Sequence, residues 1–174
     1  MGLDITAYNK VRRITNPLTD EYGDIAGRAA QQVVIDIGNS EWEQGDDLEV
    51  GQVYMYDDAI SVYSSAYSTY GNLRNELARI AGYKPLIAGS RYRGIYAARV
   101  CDDWERGKRG ILSELICFAD NEGEIGTKTC RKILNDLHTV SSRAGKLDAF
   151  DQDLLAKLIQ TFEFAVVDGF VQFH

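Results

Sequence analysis

The chain has 174 residues, of which 45% are hydrophobic and 26% are charged, a composition typical of one globular domain. Its 19 Lys and Arg residues and 26 Asp and Glu residues give a net charge of −7, which argues against broad binding to nucleic acid or to an anionic membrane. No apolar stretch approaches the roughly 18 residues of a membrane span, and the first residues do not resemble a secretion signal. We therefore expect a single cytoplasmic domain over residues 1–174.

The first third of the chain is predicted to consist mainly of strands. Four are predicted, at residues 3–14, 32–37, 51–56 and 59–63. Alternation of apolar and polar residues indicates the first strand, and β-branched residues indicate the second. The last two are predicted to form a hairpin that turns at Asp57 and Asp58, after an acidic loop at residues 40–49.

Helices are predicted in the rest of the chain, where apolar residues recur at helical spacing. Three are predicted, at residues 70–81, 127–143 and 149–167. Ser68 or Thr69 is expected to cap the first helix and Gly82 to end it, because hydroxyl side chains and glycine favour those positions. Asp148 is the expected N-cap of the third helix.

The segments around these helices complete the predicted fold. A long irregular connection is predicted at residues 83–110, with a strand at 92–100 inside it. Residues 112–118 are predicted as a buried strand and residues 170–174 as a short strand at a sheet edge. Strands followed by helices are typical of an α+β fold, so we expect a mostly antiparallel sheet with about three helices packed on one face.

Several segments together resemble a group of small proteins encoded by phages and prophages. They are MGLDITAY at residues 1–8, YSTYGNLR and ELA within 67–78, ELICF at 114–118 with Asp120, the pairs EG and IG within 122–126, and VQFH at 171–174. The segments span most of the chain and are specific as a set. The group has no assigned activity, so the resemblance implies a viral or prophage protein in a bacterial cytoplasm and transfers no catalytic residue.

The serine- and tyrosine-rich segment that leads into the first predicted helix is one candidate binding site. Backbone N–H groups at a helix N-terminus, with hydroxyl groups such as that of Ser68, can bind a phosphate or carboxylate group. Arg74 lies one turn into the helix, and the ring of Tyr70 can stack on a base. The alternative is a capped helix whose tyrosines pack on the sheet.

A locally basic segment in this acidic chain is a second candidate. The segment contains Arg91, Tyr92 and Arg93, followed by Arg99, Arg106, Lys108 and Arg109. It combines guanidinium donors with an aromatic surface, which suits a phosphorylated ligand. The alternative is a surface loop whose cations pair with the acidic stretch of the same chain or of a neighbouring chain.

Lys128, Arg131 and Lys132, at the start of the second predicted helix, are a third candidate. Cations at this end oppose the helix dipole, and an anion bound between them would account for their placement. The alternative is exposed charge that only increases solubility.

These candidates favour a non-catalytic protein that binds a small anionic, nucleotide-like ligand, and the viral setting suggests sequestration of a nucleotide signal of host defence. Three cysteines and two histidines fall at no spacing typical of a metal or catalytic centre, so we expect neither metal nor cofactor and assign no catalytic residue. One alternative is an inhibitor that binds a host protein through acidic residues 36–58, and another is a small nucleotide-processing enzyme. A homo-oligomer is also compatible, because the C-terminal strand offers an edge for pairing.

Overall fold

The computed structural model describes residues 2–35, 43–86, 94–118 and 123–174. In chain order, its strands are β1 (Gly2–Asn9), β2 (Arg12–Ile14), β3 (Gln32–Val34), β4 (Val53–Met55), β5 (Asp58–Ala66), β6 (Gly123–Ile125) and β7 (Phe170–Phe173). Its α-helices are α1 (Tyr67–Ala81), α2 (Ile95–Glu105), α3 (Ser113–Ile116), α4 (Thr127–Ser141) and α5 (Ala149–Ala165). The predicted α+β class with antiparallel sheets is confirmed, but the described residues form five α-helices instead of about three.

Two antiparallel sheets organise the molecule. The larger has the strand order β5-β1-β7-β6, and the smaller has the order β2-β4-β3. One face of the larger sheet, which carries Leu3, Ile5 and Ala7, packs against the helices and forms the main core. The opposite face meets the smaller sheet through a second apolar cluster, in which Tyr8 and Phe170 are members. The central strands of the larger sheet are therefore buried on both faces.

The C-terminal strand β7 lies inside the larger sheet, so its predicted position at an edge is wrong. Val171 is opposite Ala7 of β1 on one side and opposite Ile125 of β6 on the other. Val171 and Phe173 face the main core, whereas Phe170 belongs to the second cluster. Because both of its edges are already paired, this strand cannot pair with a second copy of the chain.

The predicted hairpin at residues 51–63 is also wrong, because its two arms belong to different sheets. Strand β4 pairs with β2 and β3, whereas β5 pairs with β1. The N–H of Tyr56 donates to the carbonyl of Gln31 at 3.0 Å, and the N–H of Asp57 donates to the carbonyl of Asn9 at 3.2 Å. These two hydrogen bonds lie where the chain leaves the smaller sheet and enters the larger sheet. Similarly, Lys10 has a φ of 48°, which separates β1 from β2 within the first predicted strand.

Helices α2 and α3 occupy the described parts of two segments that were predicted as strands, 92–100 and 112–118. The side chain of Asn75, on α1, caps the start of α2, because its oxygen accepts the N–H of Tyr96 at 2.9 Å. Gly94 precedes the helix with a φ of 70°, and a Cβ atom there would lie 2.3 Å from the same Asn75 oxygen. A side chain distant in sequence therefore caps this helix, and local sequence patterns do not reveal it.

The ends of the other helices agree with the sequence in part. Helix α1 begins earlier than predicted, so Ser68 and Thr69 lie inside its first turn and neither is the N-cap residue. Gly82 ends the helix as predicted, with a left-handed φ of 99°. Asp148 caps α5 as predicted, because its side chain accepts the N–H of Asp151 at 2.8 Å. Among the described residues, no helix has the length and apolar content that crossing a membrane requires.

Candidate functional site

The start of α1, the first predicted site, presents little to a ligand. Ser68 is exposed, but Tyr70 is fully buried in the main core. Its ring centroid lies 5.9 Å from that of Tyr63 and 5.8 Å from that of Phe173. The position of Tyr70 corresponds to the alternative of tyrosines packed on the sheet, and its burial leaves no ring face for stacking on a base.

Arg74 is also a buried residue, with 5% of its surface exposed. Its guanidinium donates to the carbonyl of Phe118 at 2.6 Å and to that of Ile116 at 3.3 Å, and it lies 4.8 Å from the ring centroid of Tyr70. The carbonyl groups at the C-terminal end of α3 therefore occupy the donors that were expected to bind a ligand. In this conformation Arg74 stabilises the fold.

The second predicted site lies only partly within the described residues. Arg91, Tyr92 and Arg93 are outside them. Arg99 lies on α2, where it forms an ion pair with Asp102 at 3.4 Å. Arg99 does not line any of the clefts discussed below.

Three of the six described carboxylates of the acidic stretch pair with basic residues of the same chain. The pairs are Glu43 with Arg109 at 3.1 Å, Glu49 with Arg13 at 2.6 Å, and Asp57 with Arg12 at 3.2 Å and Lys10 at 3.6 Å. The first pair joins the acidic stretch to the basic segment, as the alternative for the second site anticipated. Exposed pairs of this kind contribute at most about 1 kcal/mol each, but they reduce the free negative charge that residues 43–58 offer to a basic partner.

The start of α4, the third predicted site, is capped by a residue distant in sequence. Asp46 accepts the backbone N–H of Thr129 at 2.8 Å and its hydroxyl group at 2.9 Å. The N–H of Gly126 donates to the carbonyl of Gln44 at 2.8 Å, and a Cβ atom at Gly126 would lie 2.5 Å from the carbonyl of Gly45. The 3-10 helix Glu43–Gly45 therefore packs directly against the start of α4 and places a carboxylate at the positive end of its dipole.

Carboxylate groups also surround two of the three cations at this end of α4. Lys132 contacts Glu114 at 2.5 Å and Asp136 at 2.7 Å, and Arg131 pairs with Asp168 at 3.3 Å. Partial burial lowers the pKa of Lys132, but hydrogen bonds to these carboxylates outweigh it, so the pKa is raised and the amine stays charged. The anions that the sequence required near Arg131 and Lys132 thus come from the protein itself.

Lys128 differs from these two cations. It is exposed, and no described residue forms an ion pair with it. A cleft of about 270 Å³ lies on one side of it, between α4, Trp104 and Arg109. A second cleft of about 340 Å³ lies on the other side, and Arg131 contributes to its lining. Lys128 and Asp46 line both clefts, so the two clefts meet at the start of α4.

The first cleft, which we call the Trp104 cleft, has an aromatic wall and both signs of charge. The guanidinium of Arg109 lies 3.5 Å from the ring centroid of Trp104 and also contacts Glu43. Arg109, Lys128 and Lys132 supply three positive charges, and Glu43, Asp46 and Glu114 supply three negative charges. Such a cleft binds an anionic group most readily at a cation without a carboxylate partner, and Lys128 meets that condition among the described residues.

Sequence patterns do not identify three residues that line this cleft, Asp46, Glu114 and Trp104. Asp46 is 83 residues from Thr129, so no local pattern connects them. Glu114 and Trp104 lie in segments that were expected to be strand or irregular. The spacing of Lys132 and Asp136, four residues apart on one helix, is a signal that the sequence does contain.

Comparison with protein-family models, with curated proteins and with solved structures gives no match. Within the described residues, no group of three or more His, Cys, Asp and Glu side chains is arranged to hold a metal ion.

Proposed function

We propose that this chain is a non-catalytic protein that binds a small anionic, nucleotide-like ligand at the two clefts beside Lys128. The observation that supports the proposal is the position of Lys128. It is an exposed cation at the N-terminal end of a 15-residue helix, between two clefts, in a region where the other cations already have carboxylate partners. An anionic group there would pair with the ammonium group of Lys128, although the carboxylate of Asp46 already accepts the N–H of Thr129 at this end of the helix.

The surroundings of Lys128 suit the other parts of a nucleotide. Trp104 offers an aromatic surface, and the guanidinium of Arg109 can move from Glu43 to a second anionic group of the ligand. The two clefts together fall within the range of about 300–1,000 Å³ that is usual for ligand pockets. In this proposal, Lys128 contacts the ligand directly, Arg131 contacts it by turning from its exposed partner Asp168, and Tyr70 and Arg74 support the fold.

The resemblance to phage and prophage proteins extends the proposal to a biological role. Binding without turnover would remove a nucleotide signal from the host cell, and a protein with that role needs affinity but no catalytic group. Sequestration of a host-defence nucleotide is therefore the role that we propose for the ligand-bound protein.

A thermal-shift experiment with recovery of the ligand tests the proposal. Purified protein is mixed with a panel of linear and cyclic nucleotides, and the complex is then denatured by heat so that the released compound can be identified by mass spectrometry. A ligand present at a hundredfold excess over its Kd stabilises the folded state by about 2.7 kcal/mol, which raises the Tm by several degrees. Recovery of the intact ligand supports binding, and recovery of an altered compound supports the enzyme alternative.

Two matched variants locate the site. Lys128→Glu should abolish most of the ligand-induced shift, because it places a negative charge against the anionic group. The substitution suits a helix N-terminus, so the free variant should remain folded. Lys146→Glu makes the same change at an exposed lysine that lines neither cleft, and it should keep the full shift. Equal shifts in the two variants would exclude Lys128 from the site.

A further inference from the structure

A third cleft, of about 290 Å³, lies at the junction of the two sheets and shares no lining residue with the clefts beside Lys128. Its polar lining consists of Thr6, Arg28, Gln31, Tyr56, Asp58 and Ser61. We call it the Arg28 cleft. Because its volume is slightly below the usual range for drug-sized ligands, it suits a small metabolite.

The Arg28 cleft contains one positive and one negative side chain that do not contact each other. Arg28 and Asp58 both line it, yet no described residue forms an ion pair with either of them. The adjacent Asp57, by contrast, pairs with both Lys10 and Arg12. One oxygen of the Asp58 carboxylate accepts the N–H of Ala59 at 2.8 Å, which fixes its orientation. Opposite charges that face one cleft without meeting leave room for a ligand that bridges them.

The wall behind these charges is rigid. The ring of Tyr56 packs against Tyr8 with a centroid separation of 4.8 Å, and Tyr8 stacks on Phe170 at the same separation. The hydroxyl group of Tyr8 donates to Gln172 at 3.1 Å, and the amide of Gln172 donates to Glu124 at 2.9 Å. These buried groups hold the aromatic wall in place.

Arg28 lies close to this wall as well. Burial raises the pKa of both Tyr8 and Tyr56, and the positive charge of Arg28 acts in the opposite direction on both hydroxyl groups. The guanidinium is thus near two aromatic hydroxyl groups at one side of the cleft. The side chains of Ala59 and Ile60 complete the lining with apolar surface.

We infer that the Arg28 cleft is a second binding site, which takes a small zwitterion of the free α-amino acid class. Its carboxylate would pair with the guanidinium of Arg28, and its ammonium group would pair with the carboxylate of Asp58. The apolar surface of Ala59 and Ile60 would contact an apolar or aromatic side chain of the ligand. This site does not depend on the function proposed for the clefts beside Lys128.

An NMR titration of the ¹⁵N-labelled full chain tests the inference with defined probes. L-phenylalanine and glycine carry both charges, whereas 3-phenylpropanoate lacks the ammonium group and 2-phenylethylamine lacks the carboxylate. Phenylalanine should shift the amide resonances of Gln31, Tyr56 and Ser61, and glycine should shift them at higher concentration. Each analogue with a single charge should bind roughly tenfold or more weakly than phenylalanine, because it can form only one of the two ion pairs.

Substitutions at the two charges provide an independent arm. Arg28→Gln and Asp58→Asn should each weaken phenylalanine binding roughly tenfold or more, whereas Arg106→Gln, at an exposed position on a different part of the surface, should leave it unchanged. The resonances of Thr129 and the other residues beside Lys128 should not move in any of these titrations. The inference is overturned if no amino acid in a wider panel shifts the cleft resonances, or if the single-charge analogues bind as tightly as phenylalanine.

Discussion

Asp46 should contribute to the stability of α4 across a long sequence separation, and its replacement by Ala measures that contribution. The carboxylate accepts two hydrogen bonds from Thr129, one from the backbone N–H and one from the hydroxyl group. Loss of an N-cap acceptor costs about 1 kcal/mol, and loss of the second hydrogen bond costs about 1 kcal/mol more. We therefore expect Asp46→Ala to lower the free energy of unfolding by about 2 kcal/mol, or the Tm by about 4–8 °C for a domain of this size.

Two further variants separate the possible causes. Asp46→Asn keeps an oxygen for the Thr129 N–H and an amide group that can donate to the Thr129 hydroxyl, so it should lose only about 0.5 kcal/mol of charge–dipole energy. Asp47→Ala removes the neighbouring exposed carboxylate and should change stability by less than about 0.5 kcal/mol. Urea unfolding followed by circular dichroism measures all three. An Asp46→Ala midpoint equal to that of the wild type would refute the capping role.

Asp46 also affects the proposed ligand site in the opposite direction. Its negative charge lines both clefts together with Lys128. Removal of this charge in Asp46→Asn should therefore increase the affinity for an anionic ligand while stability falls slightly. Isothermal titration at two salt concentrations measures the change, and a decrease in affinity would contradict the electrostatic argument.

Three other predictions follow from the described contacts. Lys132→Met should destabilise the protein by about 2 kcal/mol, because it leaves Glu114 and Asp136 near each other without their shared cation. The folded-state pKa of Lys132 is raised above its ordinary value of 10.5, so the charged amine contributes its full stabilisation of the fold below that pH. This contribution is lost as the pH rises through the folded-state pKa. The urea midpoints of the wild type and of Lys132→Met should therefore converge in strong alkali. Gly94→Ala should lower the free energy of unfolding by about 1–3 kcal/mol, because its Cβ would collide with Asn75. The control Gly107→Ala, where φ is also positive but no atom lies within 4 Å, should lower it by about 1 kcal/mol. Similar losses in the two variants would contradict the close contact at Asn75. Burial raises the pKa of Tyr83 to about 12, so the ultraviolet titration should show a tyrosine that ionises near that value. Tyr83→Phe should remove this ionisation, and it should also remove the hydrogen bond to the Ile111 carbonyl, which is worth about 1 kcal/mol. An unchanged high-pH titration would assign the signal to another tyrosine.

The sequence predicted those elements whose signals are local. The apolar stripes of α4 and α5, the cap at Asp148 and the glycine at the end of α1 follow from side chains within a few residues of each other. The class of the fold follows from the order of these elements. Each of these features depends on patterns that one segment carries by itself.

The errors occurred where distant residues determine the structure. Helix α2 is predicted as a strand because its cap is Asn75 of another helix, which no pattern within residues 92–100 reveals. The hairpin at residues 51–63 was predicted from turn residues, but bonds to Gln31 and Asn9 divert its arms into separate sheets.

The residues of the candidate site also divide into those with local sequence signals and those that the fold brings together from distant segments. Lys128 and Arg131 could be selected from the charge pattern of one helix, and both line the clefts. Asp46 and Trp104 could not be selected, because the fold brings them to α4 from other segments. Arg74 was selected for its position at a helix start, although its guanidinium binds carbonyl groups more than 40 residues away.

The NMR signal of the Trp104 indole N–H tests the central claim most directly. The chain contains two tryptophans, so the signal can be assigned with a Trp104→Phe variant. Titration with the nucleotide panel should shift this signal together with the backbone amides of Lys128 and Thr129, and Lys128→Glu should remove the shifts. Resonances that stay unchanged with every nucleotide, or shifts that persist in Lys128→Glu, would contradict an anion-binding site at the start of α4.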